Sequence, residues 1–175
     1  MALAQHIEEY FTEQKPSHKM TNLPAQVAIG FYLKLPPEAA FQLLSVDLPK
    51  WISAIPSIEW DYRQSKSQNK MDVGTQRTCV FGKDKAHENI IEYQYPSYYA
   101  YQIDFDKSTM KMPISDHLGI FRVSSDNKGG SICSWEQRFN KKRHPLSPIL
   151  NFMMQNFVLK KFVKNLVKQH QGHIL

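Results

Sequence analysis

Three polar side chains near the middle of the chain have the types needed to orient or protonate a small substrate: Arg77, Glu88 and His117. An arginine holds carbonyl or carboxylate oxygens, and a histidine transfers protons near neutral pH. Arg77 lies in the strand-like segment GTQRTCVFG, so it needs a partner if it is buried, and Glu88 in the next segment is the natural one. These residues predict a polar end of a ligand cavity; the alternative is a structural ion pair with a surface histidine.

The rest of the sequence offers little for catalysis or metal binding. It has no nucleophile elbow, no phosphate-binding glycine loop, no HExxH pair and no paired cysteine motif. His170 and His173 are close together, but Gly172 lies between them at a helix end, where cationic groups complement the helix dipole. We therefore expect no metal and no cofactor. An enzyme is not favoured; if there is one, Arg77, Glu88 and His117 are its polarising and proton-transferring groups.

Alternation along the strand-like segments predicts a wall of side chains that face one way. The last such segment, GGSICSWEQRF, turns Trp135 inward toward Met153 and Phe157 on a following helix, with Glu136 and Arg138 toward water. Methionines on that helix adapt to irregular ligand shapes. The alternative for each wall residue is that it only packs in a core. The predicted ligand-binding residues are Arg77, Cys79, Phe81, Glu88, Tyr101, Ile103, His117, Phe121, Trp135, Phe139, Met153 and Phe157.

Composition indicates a globular chain of 175 residues with a net charge of +6. Much of the positive excess lies in NKKRH and in KKFVKNLVKQH, and the second is explained by lysines on a solvated helix face. Contact with nucleic acid or an anionic membrane is therefore not favoured. Cys79 and Cys133 form no disulfide framework, which predicts a reducing cytoplasm. No run of about 18 apolar residues is present to span a bilayer, and no signal peptide is visible.

The order of predicted elements indicates an α+β fold. The segment 25–35 alternates as a strand, PPEAAFQLLSV predicts a helix, and DLPKWISAIPSIEW predicts a second short helix. Six strand segments with short spacers follow over 57–140, which favours antiparallel pairing. A helix of about 24 residues, from Ser147 and Pro148 to Gly172, ends the chain. A curved antiparallel sheet wrapped around this long C-terminal helix buries its apolar surface most economically.

This order resembles the START-like superfamily, also called the birch-pollen-allergen-like or SRPBCC superfamily, and within it the bacterial polyketide cyclase/dehydrase-type branch. The resemblance rests on LKLPPEAAFQLL, on Trp51, on Gly74 and Arg77 in VGTQRTCVFG, on HENIIEYQYPSYYAYQI and on GGSICSWEQRF. It covers roughly residues 25–170. It implies the helix-grip fold, with two short helices between strands 1 and 2. We expect residues 25–172 to form a single domain and residues 1–24 to form an extension with a short amphipathic helix over 3–14.

The strand that contains Glu88 is read in two ways. The resemblance implies that Glu88 and Ile90 face inward, whereas plain alternation makes Ile91, Tyr93 and Tyr95 the apolar set. A β-bulge within the strand would reconcile the two, because one extra residue shifts the register partway along.

Three functions are compatible with these patterns. The first is binding of a small hydrophobic or amphipathic ligand, such as a lipid, isoprenoid or polyketide-like molecule, between the sheet and the C-terminal helix. The second is a cyclase or dehydratase in the same cavity. The third is an interaction protein that binds a macromolecule through its basic C-terminal helix.

Overall fold

The computed structural model describes Phe11, Leu23 and residues 25–175 of the chain. The expected N-terminal extension over 1–24, including the helix over 3–14, otherwise lies outside the described residues. The domain boundaries 25–172 stay a prediction.

The described residues form eight strands and two main helices; the first seven strands and the helices follow the predicted order, and β8 after the last helix was not predicted. The strands are β1 (Ala25–Leu33), β2 (Ser57–Asp61), β3 (Gln76–Phe81), β4 (Asp84–Gln94), β5 (Tyr98–Asp104), β6 (Ile114–Ser125), β7 (Ser131–Lys141) and β8 (His173–Ile174). Helix α1 (Pro37–Ser45) and a 3₁₀ turn (Leu48–Lys50) lie between β1 and β2. Helix α2 covers 150–169 in three parts, Leu150–Met153, Met154–Leu159 and Lys160–Gln169.

The strands form one antiparallel sheet in the order β2-β3-β4-β5-β6-β7-β1-β8. Consecutive strands from β2 to β7 are neighbours, as their short connections require. Strand β1 departs from this order because it pairs with β7, and the short β8 follows it because it pairs with β1. Helices α1 and α2 contribute buried apolar residues to the same core as the sheet. The chain therefore has the helix-grip fold, and the predicted fold class is confirmed.

Helix α1 is fixed to the sheet through its C-terminal carbonyl groups, which have no partner within the helix. The Trp51 indole donates to the Leu43 carbonyl at 3.0 Å. The Tyr99 hydroxyl donates to the Leu44 carbonyl at 2.6 Å, and Arg77 donates to the Ser45 carbonyl at 2.8 Å. Arg77 also places a positive charge at the negative end of the helix dipole. Three side chains from three different segments thus replace an ordinary helix cap.

Helix α2 is not a continuous α-helix, because its middle part, Met154–Leu159, has the wider π-helical turn. In an α-helix, seven residues make about two turns, so Phe157 would lie on the same face as Leu150. The π-helical turn, with its i→i+5 hydrogen bonds, needs more residues for each turn. Leu159 therefore takes the buried position in line with Leu150, and Phe157 faces outward.

Two β-bulges decide which side chains reach the concave face. In β4 the register shifts between Ile90 and Glu92, which leaves Ile91 as the extra residue. Before the bulge Glu88 and Ile90 are buried, and after it Tyr93 packs against the core. The inward facing of Glu88 and Ile90 therefore holds. Of the other set only Tyr93 faces the core, since Ile91 packs against a separate, smaller apolar cluster and Tyr95 is 57% exposed. In β6 a second shift lies between Ser115 and Leu118, where Asp116 has a positive φ of 49°.

The convex face of the sheet carries a second, smaller apolar cluster formed by Tyr98, Ala100, Leu118 and Ile120. Beside it Glu136 accepts hydrogen bonds from Arg122 at 2.8 Å and from Arg138 at 2.5 Å. Glu136 is buried, so the prediction that it faces water is wrong. The physical reason is the pair of arginines, which compensate its charge where bulk water does not reach. Arg138 is half-buried.

Candidate functional site

The concave face is built around Trp135 of β7. Its ring stacks on Phe121 of β6 with centroids 4.9 Å apart, and the Trp51 ring meets it edge-on at 5.9 Å. Phe121 also stacks on Tyr99 at 5.2 Å. The indole is inward, as predicted, but its aromatic neighbours are Trp51 and Phe121. These rings fill the space directly under the sheet.

A polar chain crosses this aromatic cluster from β6 to β5. The His117 imidazole donates through Nε2 to the Gln137 side-chain carbonyl. The Gln137 amide in turn donates to the Tyr101 hydroxyl at 3.0 Å. His117, Gln137 and Tyr101 are all buried. Because Gln137 is an acceptor toward His117, the imidazole carries its proton on Nε2 and a lone pair on Nδ1.

That lone pair is the distinctive feature of the site. His117 Nδ1 is buried and has no hydrogen-bond partner among the residues that the structure describes. Burial lowers the pKa of His117 to about 4, while the hydrogen bond to Gln137 acts in the opposite direction. The imidazole is therefore neutral at pH 7, with an unused acceptor. Sequence reasoning left open whether this histidine lies at the surface, and the structure places it inside.

The Trp135 indole supplies a second buried polar atom without a partner among the described residues, a donor. Its Nε1 is buried and makes no hydrogen bond within the described part of the chain. Burial raises the pKa of Tyr101, and the nearby Trp135 indole opposes that rise. A buried polar group without a partner costs free energy. A bound molecule that donates to His117 Nδ1 and accepts from Trp135 Nε1 would remove that cost and stabilise the folded protein.

Arg77 and Glu88 form the buried ion pair that the sequence predicts. Arg77 Nε lies 2.6 Å from Glu88 Oε2 across β3 and β4. The guanidinium carbon also lies 4.9 Å from the centre of the Tyr101 ring, in cation–π geometry. Burial disfavours the charged guanidinium, but Glu88 together with Tyr99, Cys79 and Tyr101 outweighs it, and the pKa of Arg77 is raised well above its usual value. Since Arg77 also holds helix α1, its donors are engaged by the protein itself.

The remaining predicted residues divide by their exposure. Cys79 and Phe139 are buried in the core, whereas Phe81, Ile103 and Met153 are half-buried. Burial raises the pKa of the Cys79 thiol, which keeps it protonated and unreactive. Phe157 is 63% exposed, so its predicted place against Trp135 is wrong. The reason is the π-helical turn of α2, which rotates Phe157 away from the sheet.

Most of the chain matches a known protein family. Residues 25–170 match the model of the family described as "Polyketide cyclase / dehydrase and lipid transport". The chain belongs to this family. The polyketide cyclase/dehydrase and lipid transport family lies within the superfamily that the sequence resembles, so that resemblance is confirmed. No curated protein matches this chain.

Solved structures share the fold with low sequence identity. The protein XoxI from Bacillus cereus is 17% identical, with a TM-score of 0.61, over 83% of this chain and 94% of its own. The structure of Ara h 8.0201 is 20% identical, with a TM-score of 0.56, over 82% and 97%. An HSP90 activator from Plasmodium falciparum is 12% identical, with a TM-score of 0.55, over 85% and 98%. At these identities the likeness extends to the fold alone.

Within the described residues, no helix combines the length and apolar character needed to cross a bilayer.

Sequence reasoning assigned no role in the site to four residues on which it depends. Gln137 connects His117 to Tyr101, and its place between Trp135 and Phe139 in the alternation of β7 was the available signal. Tyr99 and Trp51 hold helix α1 through backbone carbonyl groups, which no side-chain pattern reveals. Gly119 is the neighbour that the Tyr101 ring requires, because a Cβ there would lie 2.2 Å from Tyr101 Cζ.

Proposed function

We propose that this protein binds a small hydrophobic or amphipathic molecule, such as a lipid, isoprenoid or polyketide-like compound, between the concave face of the sheet and helix α2. The observation that carries the proposal is the pair of unused polar atoms on that face, His117 Nδ1 and Trp135 Nε1. The ligand is amphipathic because it supplies a donor to His117 Nδ1, an acceptor to Trp135 Nε1 and apolar carbon to the surrounding rings. The description of the family, which includes lipid transport, supports the same ligand class.

The lining on the helix side supports a ligand of irregular shape. Met154, Val158 and Phe162 of α2 are only partly buried against the core, as are Met110 and Met112 of the β5–β6 connection. Methionine side chains are flexible and repack around different apolar shapes. The first half of α2 therefore moves aside at lower cost than the second half, where Val163, Leu166 and Val167 are buried. We infer that the ligand enters under the first half.

The cell compartment of this activity follows from the cysteines. Cys79 and Cys133 are both free and buried, as is usual for a chain in a reducing environment. We accordingly assign the binding activity to the cytoplasm.

The experiment is a titration of the full chain with three probes: oleate, farnesol and 1,8-dihydroxyanthraquinone. A probe at about 100 times its Kd stabilises the folded state by about 2.7 kcal/mol, which raises the Tm by roughly 5–10 °C for a chain of this size. The His117→Leu variant should lose most of that shift for farnesol, whose hydroxyl can donate to Nδ1, whereas the exposed control His144→Leu should keep it. Native mass spectrometry should detect the complex. Unchanged Tm and unliganded mass with every probe would contradict the proposal.

The same histidine supports a second candidate, a cyclase or dehydratase. His117 faces inward and is neutral, so Nδ1 is free to accept a proton from a bound substrate. Arg77 and Glu88 satisfy each other and would act only by polarising the substrate at a distance. In this case the His117→Gln variant would bind the substrate but fail to turn it over, whereas a pure binding protein would release the ligand unchanged.

A further inference from the structure

The outward face of helix α2 and the turn before it carry large apolar side chains in contact with water. Leu146 is 44% exposed, Ile149 50%, Phe152 62% and Phe157 63%. The Phe152 and Phe157 rings touch each other edge-on, with centroids 6.0 Å apart. We name this group of four residues the α2 patch. Clustered apolar side chains on a surface mark an interaction site, unlike single exposed ones.

The segment of the chain that carries the α2 patch is positively charged and contains no acidic residue. Glu136 is the last acidic residue in the chain, and 8 of the 22 Lys and Arg residues follow it. The chain up to Glu136 therefore has a net charge of −2, and the last 39 residues carry +8. Sequence reasoning treated these lysines as an ordinary solvated face, but it had placed Phe157 in the core.

The lysines and the apolar side chains belong to one surface. Phe157 lines an open groove of about 290 Å³ together with Lys160, Lys161 and Lys164. The basic turn at Lys141–Arg143 folds back toward the helix start, because the Ser147 hydroxyl donates to the Lys142 carbonyl at 2.6 Å. Along the chain, Phe152 and Phe157 thus lie between two groups of cations, and Phe157 contacts the same groove as the second group.

We propose that the α2 patch docks on the surface of an anionic phospholipid bilayer. A helix that lies in the membrane interface places aromatic and aliphatic side chains among the acyl chains, with lysines at the level of the headgroups. Anionic lipids supply the negative charge that this surface lacks. Nucleic acid fits less well, because exposed Leu146 and Ile149 have no role in contacting phosphates. The docking does not require that the proposed ligand be correctly identified.

The test is flotation of the full chain with vesicles of phosphatidylcholine alone and with vesicles of an equal mixture of phosphatidylcholine and phosphatidylglycerol. We expect binding to the mixed vesicles, little binding to the neutral ones, and loss as salt shortens the Debye length from about 8 Å at physiological ionic strength. K160Q/K161Q/K164Q should weaken binding about 100-fold, since each lysine near an anionic surface contributes roughly 5-fold. F152S/F157S should weaken it at least about 10-fold by removing apolar burial.

The matched control is K66Q/K83Q/K128Q, which removes the same charge from exposed lysines elsewhere. It should retain most of the binding; an equal loss would show that net charge alone acts and would overturn the proposal. Absence of flotation, or equal binding to neutral vesicles, would also overturn it. So would RNA binding that the lysine variant abolishes and the phenylalanine variant leaves intact. Oleate titration without vesicles should be unchanged in both patch variants, which separates this result from the proposed ligand function.

Discussion

Arg77 Nε and Glu88 Oε2 lie 2.6 Å apart in the interior, and the same guanidinium donates to the Ser45 carbonyl at the end of helix α1. One ion pair therefore joins β3, β4 and α1. A charge of this kind tolerates the interior only while its partner remains. The contact sets the stability of the fold more than it serves a ligand.

Replacing Arg77 with methionine should destabilise the protein strongly. The Arg77→Met variant leaves the Glu88 carboxylate buried without its partner and removes the donor to Ser45, so the free energy of unfolding should fall by about 3–5 kcal/mol. Urea denaturation measures this. Arg63→Met is the control, because its pair with Asp61 is exposed and such pairs contribute about 0–1 kcal/mol. Equal effects of the two substitutions would contradict the role assigned to Arg77.

His117 should make the stability of the protein depend on pH below neutrality. Its folded pKa of about 4 lies below the unfolded value of 6.5, so between these values the unfolded chain binds a proton that the folded chain does not. The free energy of unfolding is therefore highest above pH 6.5. It falls by about 3 kcal/mol in total as the pH drops from 6.5 toward 4.

Urea denaturation at pH 7, 6 and 5 measures that dependence. As the pH falls, the free energy of unfolding of the unsubstituted protein should decrease steadily relative to that of the His117→Gln variant. The exposed control His144→Gln should follow the unsubstituted protein. If the His117→Gln and unsubstituted curves stay parallel over this range, His117 is not buried as a neutral imidazole.

Gly119 should be required for the position of Tyr101. A methyl group at Gly119 would overlap the Tyr101 ring, so Gly119→Ala should cost about 1–3 kcal/mol of stability through overpacking. The Tyr101→Leu variant removes the ring. In that background the additional Gly119→Ala substitution should cost little, and a double-mutant cycle by urea denaturation measures the coupling. Additive effects would mean that the two residues do not contact each other.

Phe157 and Phe139 should respond in opposite ways to truncation. Phe157→Ala removes an exposed ring and should change the free energy of unfolding by no more than about 0.5 kcal/mol. Phe139→Ala empties a fully buried position and should cost about 3–5 kcal/mol. Thermal or urea denaturation compares them directly. A large loss for Phe157→Ala would restore the original expectation that this ring faces the sheet.

The fold could be predicted because its signals are local and repeated. Alternation marked the strands from β1 to β7, and Pro36-Pro37 marked the start of α1. Even the bulge at Ile91 was foreshadowed, since two incompatible readings of one strand require a register shift. The helix after β7 was expected to end at Gly172 but ends at Gln169, because Gly172 lies close to the Tyr32 backbone as β8 pairs with β1.

The site was less predictable because it depends on the helical phase of α2 and on side-chain hydrogen bonds to backbone carbonyl groups. A period of 3.6 residues was assumed throughout the last helix, and neither proline nor glycine marks the π-helical turn at Met154–Leu159. Glu136 was expected in water because the arginines that compensate it come from a neighbouring strand and from its own strand two residues on. Such pairings become visible only when the strands are aligned in space.

Because of the π-helical turn, the number of residues in α2 also determines which of its side chains are exposed. Removing one residue from Met154–Leu159 would let the helix run as regular α-helix, with the residues before the deletion rotated by about 100° relative to those after it. Phenylalanine rings now in contact with water would then turn toward the sheet without any change in composition. A single-codon insertion or deletion at this point is therefore enough to interconvert a surface and a core.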